Sequence, residues 1–201
     1  MNLICMDLEG VLIPEIWINF AHETGIDELK LTTRDISDYD VLMTRRLGIL
    51  KEKGLTLQDI QAVIDRMNPM EGALDFLNTL RSKTQVIILS DTFEEFARPF
   101  MKKLGWPTLF CNSLVVDSSG MITDYTLRQS DGKKKAIAAF HSAGFRILAA
   151  GDSYNDLTML KSADKGLLFR APESIKDENP ELPLLMEYSD FLQEIELFLE
   201  G

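Results

Sequence analysis

Asp7 and Glu9, in the run Asp7-Leu8-Glu9-Gly10-Val11, are two acids spaced i, i+2 directly after an apolar segment, Leu3-Ile4-Cys5-Met6. Alternate residues of an extended chain face the same side, so both carboxylates emerge together where a buried strand runs out into a glycine-containing loop. Such charges repel each other and lose hydration, and a bound cation or a reaction is the usual reason for keeping them together. A strand end with two solvated acids is the plain alternative.

Three further segments carry chemistry. Leu89-Ser90-Asp91-Thr92 closes the apolar run Val86–Leu89 ahead of a helical pattern that begins near Phe93. Small hydroxyl and carboxyl residues there make good helix caps, and a helix N-terminus beside a hydroxyl also suits a phosphate. Lys133 opens another helical pattern and offers a point charge to an oxyanion. Gly151-Asp152-Ser153-Tyr154-Asn155-Asp156 follows the apolar run Ile147–Ala150, with Asp152 and Asp156 spaced i, i+4. Alone it reads equally as a capped turn or as a cation site. If the runs are parallel strands, all four segments meet at one sheet edge. The set then supplies acids for a metal, a hydroxyl, a lysine and a helix N-terminus, which is what phosphoryl transfer needs. Asp7, Glu9, Asp152 and Asp156 sum to −4, and Mg²⁺ with Lys133 returns +3, leaving −1; without the cation the site holds −3 and would repel a phosphate dianion.

The elements that must position these residues are legible in the spacing. Apolar runs recur at Leu3–Met6, Val86–Leu89, Leu109–Cys111, Ile147–Ala150 and Gly166–Phe169, separated by helical patterns over Glu71–Leu80, Phe93–Leu104 and Lys133–Ala143. Gly144 suits a left-handed position after the last of these. Alternating strands and helices predict an α/β fold, a Rossmann-like doubly wound parallel sheet. Leu114-Val115-Val116, Asp117-Ser118-Ser119-Gly120 and Met121–Leu127 read as a small β-hairpin within about 112–128. Residues 14–67 differ: Glu15–Glu23, Tyr39–Lys53 and Leu57–Arg66 show helical spacing, turns fall at Gly25 and Gly54, and no strong strand appears. This is too long for an ordinary strand–helix connection. It predicts a helical cap, 14–67, inserted into a catalytic core formed by 1–13 and 68–201; a decoration that only covers the core is the alternative.

The chain of 201 residues has room for one domain with an insertion, and its 45% apolar and 26% charged residues are ordinary for a soluble protein. A net charge of −11 with no basic stripe argues against nucleic-acid and anionic-membrane partners. No run is apolar for long enough to span a bilayer, and the N-terminus lacks a signal-peptide pattern. Cys5 and Cys111 sit in strand-like runs without a CxxC or Cys/His cluster, so reduced thiols and a cytoplasmic location are expected. His22 and His141 have no obvious Ser or Cys partner, which disfavours a His-activated nucleophile.

In order, Asp7-Leu8-Glu9-Gly10-Val11, Ser90-Asp91-Thr92, Lys133 and Gly151-Asp152-Ser153-Tyr154-Asn155-Asp156 resemble the four motifs of the haloacid dehalogenase-like phosphatases. The likeness covers essentially the whole chain, including a helical cap after the first motif. Within that superfamily the chain is similar to the phosphoserine phosphatase branch, and most to its bifunctional type, which also moves phosphate from phosphoserine to homoserine. Pro14-Glu15-Ile16-Trp17, Thr33-Arg34-Asp35 and Tyr39-Asp40-Val41-Leu42-Met43 share that resemblance.

The resemblance implies a Mg²⁺-dependent enzyme in which Asp7 is the nucleophile and Glu9 the acid/base. It implies that Asp7, the backbone carbonyl of Glu9, and Asp152 hold the metal. Ser90, Asp91, Lys133 and Asn155 fall on the phosphate side of the substrate, with Thr92 and Asp156 supporting them. Glu15 matches the position that binds the substrate amine, and Arg46 the one that binds its carboxylate, with Arg45 a competitor; an arginine fork suits a carboxylate. Most members carry Asp where this chain has Glu9, and the longer acid is expected to favour an alcohol acceptor over water. Phosphoserine and homoserine are the small-molecule partners implied, and a homodimer is compatible with the sequence. A signalling receiver domain would need adjacent acids after the first strand and a shorter chain; an inactive binding module would not need every charged position filled. A phosphatase for another small phosphomonoester stays open, because cap residues set the substrate.

Overall fold

In the computed structural model, which describes residues 1–32, 35–36 and 38–201, the strand run at the start is β1, Asn2–Met6. Helices α1 (Ile16–Thr24), α2 (Tyr39–Lys53), α3 (Leu57–Arg66) and α4 (Ala73–Lys83) come next, with a short 3₁₀ turn at Asp27–Lys30. Then follow β2 (Gln85–Phe93), α5 (Glu94–Lys103), β3 (Thr108–Val116), β4 (Ile122–Thr126), α6 (Gly132–Ser142) and β5 (Arg146–Gly151). The chain ends with α7 (Leu157–Ser162), β6 (Lys165–Phe169), α8 (Glu173–Glu178), β7 (Leu184–Leu185) and α9 (Tyr188–Glu200).

Among the described residues the strands form one sheet in the order β4-β3-β2-β1-β5-β6-β7, parallel except for the β3–β4 pair. Burial follows the two-residue period of a strand. Ile4 and Met6 join one core with Phe76, Leu77, Phe96, Phe100 and Phe191, from α4, α5 and α9. Leu3 and Cys5 face the other core with Ile137, Met159, Leu160 and Ile175, from α6, α7 and α8. β1 is buried on both faces, as a central parallel strand must be. Its neighbours β2 and β5 are reached by crossovers that run to opposite sides. The carboxyl ends of β1, β2 and β5 therefore diverge at a switch point, where such sheets leave a crevice. No helix among the described residues is long and apolar enough to cross a membrane.

Two expectations from the sequence are corrected. Leu109–Cys111 and the first arm of the hairpin are one continuous strand, β3, which pairs in parallel with β2 and antiparallel with β4. The polar Asn112-Ser113 step looks like a break in the apolar run. Instead Asn112 is buried: its amide donates to the Asp91 carbonyl at 3.0 Å and accepts from the Arg128 N–H at 3.0 Å. Ser90-Asp91-Thr92 does not cap a helix either. β2 runs on to Phe93, with an irregularity between Leu89 and Phe93 in its pairing with β3, and α5 starts at Glu94 without a side-chain cap. Ser90 Oγ accepts from the Thr92 N–H at 3.3 Å, so the hydroxyl serves a local bulge, not an N-terminal turn.

Candidate active site

The bulge in β2 and the loops after β1 and β5 bring the acids together. The Asp7 N–H donates to the Ala150 carbonyl at 3.0 Å, which continues the ladder between β1 and β5 up to the first acid. Asp7 Oδ1 accepts from the Leu8 N–H at 2.7 Å. Its other oxygen lies 3.0 Å from Lys133 Nζ, delivered by the first turn of α6. The same ammonium is 2.7 Å from Asp156 Oδ1 and 3.6 Å from Asp91 Oδ2. Burial alone would pull Lys133 toward neutrality, but Asp156, Asp7 and Asp91 outweigh it and hold its pKa well above the usual value. Burial pushes the Asp7 carboxyl well above the normal carboxylate range, against the pull of Lys133, and Asp156, Asp152 and Asp91 push the same way.

Asp156 is fully buried and holds the site together. Besides Lys133, its second oxygen accepts from the N–H groups of Asp152 and Ser153 at 3.0 and 3.1 Å and from the Ser153 hydroxyl at 3.0 Å. Two glycines make room. A Cβ on Gly10, whose φ is +73°, would lie 2.3 Å from the Asp152 carboxylate; one on Gly151 would lie 2.3 Å from that of Asp156. Carboxylate oxygens of Asp7, Asp152 and Asp156 all fall within 4.8 Å of one another, in a buried set of hard donors. These three acids and Lys133 sum to −2, the charge a divalent cation would neutralise.

A cavity of about 270 Å³ opens on this cluster, lined by Asp7, Glu9, Ser90, Asp91, Thr92, Asp152 and Asn155 on one side and by Glu15, Trp17, Tyr39 and Arg46 on the other. Glu9 Oε2 accepts from the Ile16 N–H at 2.9 Å, so the second acid caps α1. Arg46 is only 7% exposed, whereas Arg45 faces solvent. The Arg46 guanidinium stacks on Trp17 at 4.6 Å and donates through Nη2 to the Leu31 carbonyl at 2.8 Å. Among the described residues its Nε has no partner, and burial lowers its pKa to about 10, so it remains a cation at neutral pH. Asn155 donates to Asp91 Oδ2 at 2.9 Å.

Apart from Arg45, which faces solvent, the fold gathers the sequence-derived candidates on one cavity or its immediate supports; Thr33 and Arg34 lie outside the described residues. Tyr39 and Trp17 were missed as site residues. Both are aromatics in the first turn of a helix, a pattern that usually means core. A larger groove of about 900 Å³ adjoins the cavity and shares Tyr39, Ser90, Asp91 and Asn155 with it. It is lined by Lys133 but by neither Asp7, Glu9 nor Arg46, so the smaller cavity is the one that faces the paired acids.

The comparisons with known proteins agree with this geometry. A family model described as haloacid dehalogenase-like hydrolase matches residues 1–164. The chain is 55% identical over 194 residues to "Phosphoserine phosphatase ThrH" of Pseudomonas aeruginosa, covering 96% of this chain and 95% of that protein. It is 53% identical to "Phosphoserine phosphatase" of Pseudomonas syringae pv. tomato, covering 96% and 82%. The solved structure described as "Phospho-Aspartyl Intermediate Analogue of Phosphoserine phosphatase" superposes with a TM-score of 0.76 at 21% identity, covering 96% and 98% of the two chains, and shares the fold.

Proposed function

Because the chain belongs to the haloacid dehalogenase-like hydrolase family, we propose that it is a phosphoserine phosphatase that works through an aspartyl-phosphate on Asp7 and also transfers phosphate to homoserine. One observation carries the substrate: the cavity that holds Asp7 also holds a buried arginine whose Nε lacks a partner. Arg46 remains a cation in the wall of that cavity, and its guanidinium carries further N–H donors with which a ligand carboxylate forms a charge-assisted hydrogen bond. Glu15, which lines the same cavity, supplies the negative charge an ammonium group needs. This set of charges suits a small molecule with a phosphate and an amino acid head.

Asp7 attacks phosphorus and the bond to the serine oxygen breaks, with Glu9 giving that oxygen its proton. Water or the homoserine hydroxyl then loses its proton to Glu9 and attacks the acyl phosphate, which frees Asp7. Lys133 stabilises charge on the transferring group, and Ser90 and Asn155 orient it. The donor set fits Mg²⁺, which would be held by Asp7, Asp152 and the Glu9 carbonyl and would neutralise the charge that otherwise keeps the phosphate out. A cation there would also favour the ionised form of Asp7 against the upward pull of burial. Asp156, saturated by Lys133 and the loop, orients the cluster and is not counted among the ligands. The Glu9 carboxylate reaches the first N–H of α1, which couples the acid to the helical segment. Residues 14–67 act in this reading as a cap over the cavity that controls access of water. A cytoplasmic location is in keeping with the free thiols Cys5 and Cys111.

Phosphate release from a panel of small phosphomonoesters with Mg²⁺, run with and without homoserine, tests the reading. Phosphoserine should be the preferred donor and homoserine should gain phosphate. Preference for a donor lacking the amino acid head would replace this reading with that of a phosphatase for another phosphomonoester.

A further inference from the structure

We propose that Tyr39 is a positioning residue that ties the phosphate-binding segment Ser90–Asp91 to the closed helical cap, an inference that rests on the phosphatase reading above. The segment needs outside support. The pairing of β2 with β3 is irregular between Leu89 and Phe93, so the ladder does not set the backbone around Ser90. Three side chains hydrogen-bond Asp91 instead, and Lys133 stands 3.6 Å from its carboxylate. Asn112, from β3, donates to its carbonyl at 3.0 Å, and Asn155, from the loop after β5, donates to its carboxylate at 2.9 Å. The third is Tyr39, whose hydroxyl donates to the same carbonyl at 3.2 Å. Of these three, only Tyr39 belongs to residues 14–67.

Tyr39 is held for this task. It is the first residue of α2, and its ring meets that of Tyr125 edge-on at 5.8 Å. The Tyr125 hydroxyl in turn bonds the carboxylate of Asp40, the next residue of α2. The start of α2 is thereby clamped to the β3–β4 hairpin while one hydroxyl reaches inward. If the helical segment lifts, Tyr39 leaves with it and the Asp91 carbonyl loses one of its two donors. The phosphate-binding geometry is then complete only when the cap is down. Tyr39, Ser90, Asp91 and Asn155 also form the wall shared by the smaller cavity and the larger groove, so the same bond keeps that wall in place.

Tyr39→Phe removes the hydroxyl and keeps the ring. In the full chain, kcat should fall about three- to tenfold for phosphoserine and for p-nitrophenyl phosphate, the range expected for one lost hydrogen bond, with KM for phosphoserine changed less than about twofold. Inhibition by orthovanadate, which mimics the transferring phosphoryl group, should weaken about three- to tenfold, while inhibition by L-serine changes less than about twofold. A structural role alone would weaken both inhibitors together. Unchanged kcat, or L-serine weakened as much as vanadate, overturns the proposal. Failure of the phosphoserine reading would appear separately, in the wild-type protein, as hydrolysis of p-nitrophenyl phosphate without turnover of phosphoserine. The Tyr39 effect is then read from the p-nitrophenyl phosphate and vanadate arms, where unchanged values overturn it.

Discussion

The two ends of the cavity are built on opposite plans. At the end formed by the sheet, Asp7, Lys133 and Asp156 are bound to one another and to backbone N–H groups, and Asp156 alone accepts four bonds. At the end formed by α1 and α2, Arg46 is buried as deeply but keeps an unpartnered Nε. A fully satisfied network costs little reorganisation when charge moves through it, which suits chemistry. A desolvated cation in the cavity wall rewards a ligand that brings it a carboxylate, which suits selection. Under the proposed function, the difference separates the residues that react from those that choose.

The largest break in that contrast comes from the reacting end. Asp7→Asn should lower phosphate release by about 10⁴-fold or more for every donor, since it removes the nucleophile while keeping the shape. Retained turnover would refute the assignment. Next comes the choosing end. Arg46→Ala should raise KM for phosphoserine about 10- to 100-fold, the worth of a charge-assisted bond, yet leave p-nitrophenyl phosphate within about threefold. Arg45→Ala, on the exposed side of the same helix, should change neither. A steady-state comparison of the three proteins decides it.

Gly10→Ala attacks the packing beneath the reacting end. With φ at +73° and Asp152 2.3 Å from the new Cβ, it should destabilise the fold by about 1–3 kcal/mol and raise the Mg²⁺ concentration needed for activity. Thermal unfolding and a metal titration measure the two effects. The smallest expected change is the most informative about Glu9. Glu9→Asp shortens the acid that caps α1 and should lower transfer to homoserine relative to hydrolysis by a few-fold, read by product analysis. An unchanged ratio would remove Glu9 from the choice of acceptor.

The reacting end was legible in the sequence because it rides on strands. Apolar runs ending in Asp7, Ser90 and Asp152 announce both the element and the edge at which it stops, and α2 and α3 keep the bounds their spacing predicts. The sequence offers Ser90-Asp91-Thr92 as a helix start, capping or phosphate-holding, because Ser and Asp serve caps and bulges with the same side-chain chemistry; the segment is instead the irregular end of β2. β3 was cut at Asn112 because a buried amide bonded to Asp91 and Arg128 looks, in one dimension, like a loop. Tyr39 was passed over as a site residue for a related reason: its partners at Asp91 and Tyr125 are distant in sequence, and only tertiary packing joins them. The strip after Phe169 offered no strong strand signal, and β7, two residues long, forms by pairing with β6.

The central claim is that one end of the cavity performs phosphoryl transfer while the other selects an amino acid head through its carboxylate. The direct measurement is kcat/KM of the wild-type protein, with Mg²⁺, for phosphoserine against phosphoethanolamine, which keeps the phosphate and the amine but lacks the carboxylate. The account predicts a preference for phosphoserine of about 10- to 100-fold, from the charge-assisted bond to Arg46. Equal values for the two donors would contradict it.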